Sequence, residues 1–121
     1  MNNSGIHIIA EFSGCPPGLL NDEKRLKSIL IEGINTCGLF QLNIVSHKFE
    51  PIGVTVISII KESHIAIHTY PEARHASVDI FHCSPESDSA FRLLNCLSKK
   101  LQSQDVKFIE INRGDKLALK K

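Results

Sequence analysis

A chain of 121 residues holds one hydrophobic core and is too short for two, so a single domain over 1–121 is expected. Its 42% hydrophobic and 22% charged residues suit an ordinary globular protein, and the net charge of +1 comes from scattered basic residues rather than a basic stripe, which argues against a nucleic-acid partner. No apolar run reaches the ~18 residues of a membrane span, and residues 1–5 lack the basic-then-apolar plan of a secretory signal. Four cysteines, Cys15, Cys37, Cys83 and Cys96, form no C-x-x-C pair and read as reduced thiols of a cytoplasmic protein.

In chain order, Ile6 to Phe12 alternates apolar and polar positions and predicts a strand, with His7, Ile9 and Glu11 on one side. Gly14 and Pro16-Pro17-Gly18 stop it. Asn21 or Asp22 then caps a helix to about Cys37, with Leu26, Ile29, Leu30 and Ile34 on one face and Gly38 as the stop. A second strand is expected from Phe40 to Glu50, ended by Pro51 and Gly53. Three extended runs follow: Val54 to Lys61, His64 to Tyr70 and His75 to Cys83. A loop at Ser84-Pro85 leads to a helix from about Ser87 to Ser103, whose Phe91, Leu94, Leu97 and Leu101 form the apolar stripe. Lys107 to Asn112 is a last short strand, and the basic residues beyond read as a solvated tail.

The order β-α-β-β-β-β-α-β predicts an α+β fold: a two-layer sandwich, one mainly antiparallel sheet with two helices on one face. The other face is left to solvent, a second subunit or chemistry. Period-two parity puts His64, Ala66, His68 and Tyr70 on that face, together with Ser77, Asp79, Phe81 and Cys83.

Two strand runs meet with only Glu62-Ser63 between them. Tight hairpins favour Asn-Gly or Gly, which accept positive φ, and Glu-Ser supplies neither. The string Glu62-Ser63-His64-Ile65-Ala66-Ile67-His68-Thr69-Tyr70-Pro71-Glu72, followed by Ala76 to Cys83, resembles the signature of prokaryotic S-adenosylmethionine decarboxylases. The likeness extends to Gly5-Ile6-His7, Ser13-Gly14-Cys15, His47-Lys48-Phe49 and Gly53, and so runs from about residue 5 to 114.

That resemblance implies a pyruvoyl-dependent carboxy-lyase, made as a proenzyme that cleaves itself at Glu62-Ser63. It implies a β chain of residues 1–62, an α chain of residues 63–121, and a covalent pyruvoyl group formed from Ser63. By matching positions, His68 is the base for elimination, a role that suits imidazole because it titrates near neutrality. The pyruvoyl carbonyl condenses with the substrate amine to a Schiff base and accepts the electrons released with carbon dioxide. Cys83 is the matching proton donor; free thiols are mostly protonated at neutral pH. Phe49 stacks the adenine, Glu72 binds the ribose hydroxyls, and Thr55 lies near the pyruvoyl where serine is usual. The product is the aminopropyl donor of polyamine (spermidine) synthesis, and a homodimer of cleaved protomers is expected.

Plainer readings exist for each residue. His68 fits a solvated sheet face, Cys83 a small buried hydrophobe, Phe49 core packing and Glu72 an exposed loop acid. Metal binding through His64, His68, His75, His82 or Cys83 is an alternative, but the spacing matches no compact ligand pattern. A cysteine hydrolase using Cys83 leaves the Glu62-Ser63 junction unexplained, and a non-catalytic domain of this fold would not cleave. Tyr70, Thr55, Arg74-His75, His82 and Ser84-Pro85 depart from the common family pattern, where tryptophan, serine, threonine and glycine are typical. They bear on the pocket. Relatives of this scaffold decarboxylate L-arginine or L-ornithine, so those are the alternative substrates.

Overall fold

The computed structural model describes residues 5–83, 88–114 and 117–120. Its elements are β1 (Gly5–Ser13), α1 (Pro17–Leu20), α2 (Glu23–Thr36), β2 (Gln41–Lys48), β3 (Val54–Ile60), β4 (Ser63–Tyr70), a 3-10 turn (Pro71–Ala73), β5 (His75–His82), α3 (Ser89–Lys100), β6 (Asp105–Arg113) and β7 (Ala118–Leu119).

The expected helices form for the reasons their sequences suggest. Asp22 caps α2 by accepting a hydrogen bond from the Arg25 N–H at 3.1 Å. Leu26, Ile29, Leu30 and Ile34 recur at helical spacing and are buried. In α3, Leu94, Leu97 and Leu101 are buried as expected, joined by Ala90 and Leu93. Phe91 is only partly buried and meets Phe108 edge-on at 5.8 Å. The helix begins at Ser89 rather than at 87, a position outside the described residues. The Pro16-Pro17-Gly18 stop is also more than a turn. Pro17 occupies the first position of a one-turn helix, where its missing N–H is not needed, and Leu19 and Leu20 join the core.

The sheet runs β2-β3-β4-β5-β1-β6-β7, and each neighbouring pair is antiparallel. One face is dry. Ile8 and Phe12 of β1, Val56 of β3, Ile65 and Ile67 of β4 and Ile80 of β5 are fully buried in one cluster with the helix leucines. The α+β two-layer sandwich expected from element order is therefore observed. β7 was not expected from the sequence; its two exposed residues pair with Ile111 and Asn112 and carry no hydrophobic pattern.

The opposite face has no helix over it among the described residues. Its middle row runs across the strands as Val45, Ile57, Ala66, Asp79, Ile9 and Ile109. Val45, Ile57, Ile9 and Ile109 are exposed there. An apolar stripe on a sheet face marks an interaction surface.

The β3–β4 junction differs from the sequence reading by one residue. The register that buries Ile60 and Ile65 pairs Ile60 with Ser63. Lys61 and Glu62 therefore make the two-residue connection, and Ser63 opens β4. Neither connecting residue has positive φ, and the Lys61–Glu62 peptide is cis.

Candidate active site

Ser63 sits at the end of β4 with its hydroxyl against the Glu62 carbonyl, to which it donates. Its Oγ is also 3.2 Å from the Cys83 Sγ. β5 ends at His82, so strand parity stops one residue short of Cys83. The chain bends there and brings the thiol to the serine. Proximity of a hydroxyl to the carbonyl between residues 62 and 63 is what acyl transfer from nitrogen to oxygen needs.

Beside this pair on the open face lies a group the sequence reading did not select. Arg113 stacks over the Phe81 ring at 4.4 Å, and the His64 and His7 rings meet Phe81 at 5.8 and 5.7 Å. His7 Nε2 is 3.3 Å from Asp79 Oδ1, and Arg113 donates to His7 Nδ1 at 3.4 Å. Arginine is a donor only, so this pattern places the His7 proton on Nε2, toward Asp79. The legible signal was the polar side of β1, where His7 and Glu11 flank Ile9.

A second cluster occupies the other end of β4. Thr55 and His68 are cross-strand partners, and Thr55 Oγ1 lies 3.1 Å from His68 Nδ1. They line a cavity of about 400 Å³ with Phe49, Ile52, Tyr70 and Glu72. Phe49 is 47% exposed and meets His47 edge-on at 4.6 Å, so it is available for stacking rather than spent in the core. Gly53 shapes this wall: its φ of 112° is open to glycine, its carbonyl accepts from the Phe49 N–H at 2.8 Å, and its N–H donates to Asn21 at 2.9 Å. Next to the cavity, Glu11 accepts from Ser77 at 2.6 Å and from His75 at 2.8 Å. Burial raises the Glu11 pKa, but those two hydrogen bonds and the His75 charge outweigh it and hold the carboxyl below its ordinary value.

The sequence-selected residues thus fall into two groups, Glu62, Ser63 and Cys83 in one and Phe49, Thr55, His68 and Glu72 in the other. Ser63 and His68 are five residues apart on one strand, about 16 Å at the rise of a β-strand. One copy of the chain does not bring them together. Among the described residues, no three His, Cys, Asp or Glu side chains gather as a metal site requires.

Residues 6–114 match the family described as S-adenosylmethionine decarboxylase. The chain belongs to the S-adenosylmethionine decarboxylase family. It is 39% identical over 114 residues to the S-adenosylmethionine decarboxylase proenzyme of Carboxydothermus hydrogenoformans, covering 94% of this chain and 89% of that protein. The corresponding proenzyme of Clostridium tetani is 37% identical, with 94% and 90% covered. The crystal structure of the adenosylmethionine decarboxylase from Aquifex aeolicus superposes with a TM-score of 0.86 at 25% identity, covering 94% of this chain and 93% of that one. Both clusters of this S-adenosylmethionine decarboxylase family member lie inside the matched residues. Among the described residues no helix is long and apolar enough to cross a membrane.

Proposed function

We propose that this chain is a proenzyme that cleaves itself between Glu62 and Ser63 and, as a dimer, decarboxylates S-adenosylmethionine. The observation that carries the reading is the Ser63 hydroxyl, set against the Glu62 carbonyl and 3.2 Å from the Cys83 thiol. Cleavage begins when Ser63 Oγ bonds to the Glu62 carbonyl carbon, the C–N bond breaks, and the hydroxyl proton passes to the nitrogen. A base then takes the Ser63 α-proton and residues 1–62 leave as a carboxylate. Hydrolysis of the remaining dehydroalanine releases ammonia and leaves the ketone at residue 63.

The residues around Ser63 suit that group. The pyruvoyl, once formed, supplies an electron sink for the bond to the substrate carboxylate. Cys83 sets a thiol 3.2 Å from the Ser63 Oγ, within reach of residue 63, where it would serve as the proton donor. Phe49 offers an exposed ring and Glu72 a carboxylate in the same 400 Å³ cavity, a combination suited to an adenine and the hydroxyls of its ribose. The product is then the aminopropyl donor of polyamine synthesis.

The split of the site supports a dimer. Face-to-face sheets pack about 10 Å apart, closer than the ~16 Å between Ser63 and His68 within one strand. A twofold axis running across the strands at the Ile57–Ala66–Asp79–Ile9 row lays β4 antiparallel on β4 of a second copy. The level of Ser63 and His64 then lies over the level of His68, and His7 and Arg113 lie over Glu11. The exposed apolar row is buried at the centre, and opposite charges meet beside it.

Carbon dioxide release from S-adenosylmethionine, L-arginine and L-ornithine, measured side by side, tests the substrate. S-Adenosylmethionine alone is expected to react; release from either basic amino acid in its place rejects the assignment. Cys83→Ala is expected to cleave but to lose about 10²-fold or more in decarboxylation, the scale of a lost general acid. Unchanged turnover in that variant rejects the thiol as proton donor.

A further inference from the structure

His82, the last residue of β5, is 7% exposed. Its Nδ1 is buried and has no hydrogen-bond partner among the described residues. Unpaired buried polar atoms are costly and call for a reason. The position of the ring supplies one. β5 pairs with β4 as far as Phe81 and His64, and that register, continued by one rung, would put His82 across from Ser63. By parity both residues point toward the helix side, Ser63 with Ile65 and Ile67, and His82 with Val78 and Ile80. His64, though next to Ser63 in sequence, points to the open face and is engaged with Phe81 and His7.

We infer that His82 is the proton carrier for self-cleavage at Ser63, an assignment that rests on the cleavage proposed above. In the first step, the Ser63 Oγ–C bond forms and the Glu62 C–N bond breaks. Nδ1 takes the hydroxyl proton and returns it to the departing nitrogen, so the ring ends as it began and no net charge is created. A neutral imidazole is required for this. Burial holds His82 below its ordinary pKa, with no charged neighbour contributing, and keeps it in that form. At the start of α3, Asp88 and Arg92 are paired with each other at 3.2 Å, while on β1 the cross-strand partner of His82 is the apolar Ile6. His68, by contrast, is at the far end of β4. In this reading the first step is served within one chain, and His68 of the second copy acts in the elimination.

The test is the rate at which newly made, full-length protein separates into two fragments, followed from about pH 5 to 8. His82→Thr removes the imidazole while keeping a polar side chain, and is expected to slow separation about tenfold or more. The wild-type rate is expected to fall toward acid pH as the imidazoles charge, and the gap between wild type and variant to be widest at neutral pH and to narrow toward acid pH. His82→Thr protein that cleaves at the wild-type rate across this range overturns the inference and leaves the cleavage reading intact. Wild-type chain that never separates overturns both. Should His82→Thr fail to fold by circular dichroism, His82→Gln is read in the same way.

Discussion

Ser63→Ala is expected to leave the chain whole and to abolish decarboxylation while the fold survives. The reason is local. The substitution removes one hydroxyl at the end of a strand, where its contacts are the Glu62 carbonyl and the Cys83 thiol. Loss of such contacts costs about 1 kcal/mol, a small part of the stability of a domain this size. The chemistry has no substitute, because alanine carries no nucleophile to open the 62–63 peptide and so no carbonyl is generated at residue 63. Electrophoresis and circular dichroism separate the two effects: one uncleaved band with a native spectrum is expected. Cleavage of Ser63→Ala between 62 and 63 shows that the serine is not the nucleophile.

Two inactive variants, co-expressed, are expected to restore activity when their lesions lie in different clusters. Ser63→Ala retains the His68 cavity, and His68→Ala retains the Ser63–Cys83 pair. A mixed dimer of these two has one complete site and one doubly damaged site. Random pairing makes half of the dimers mixed, so about a quarter of wild-type activity is expected from the mixture. Ser63→Ala with Cys83→Ala is the control. Those lesions share a cluster, no mixed dimer has an intact site, and activity does not rise above that of Cys83→Ala. The contrast follows from the ~16 Å that separates Ser63 from His68 along β4. Equal failure of both mixtures contradicts the shared site, and equal restoration contradicts the grouping of residues into clusters.

The core was legible in the sequence because its signals are local. Leu26, Ile29, Leu30 and Ile34 declare a helix face by spacing alone, and alternation in β1, β4 and β5 declares which side chains meet it. The open face was legible by the same parity. What parity does not encode is where along the ladder two strands start. The sequence places Ser63 in the turn, whereas the pairing of Ile60 with Ser63 moves the turn back by one residue. Cys83 shows the same limit, since β5 ends before it and a bend, not alternation, delivers its thiol.

The candidate site residues could be named from the sequence, but not their arrangement. Ser63, His68 and Cys83 look like one constellation when read along the chain. A strand is rigid and extended, however, and five residues of it keep Ser63 and His68 apart. The Arg113–His7–Asp79 chain was hidden for another reason: its members come from β1, β5 and β6, brought side by side only by the sheet order. His82 read as a departure from the family pattern, and only its burial and its place one residue beyond the Phe81–His64 pair give it a use.

The most direct measurement is the intact mass of the purified, folded protein, taken before and after treatment with a carbonyl-directed reagent such as hydroxylamine. Two fragments are expected, residues 1–62 ending in an ordinary carboxylate and residues 63–121 carrying a ketone that alone takes up the reagent. A single unmodified chain of 121 residues, in a sample shown to be folded, contradicts the account.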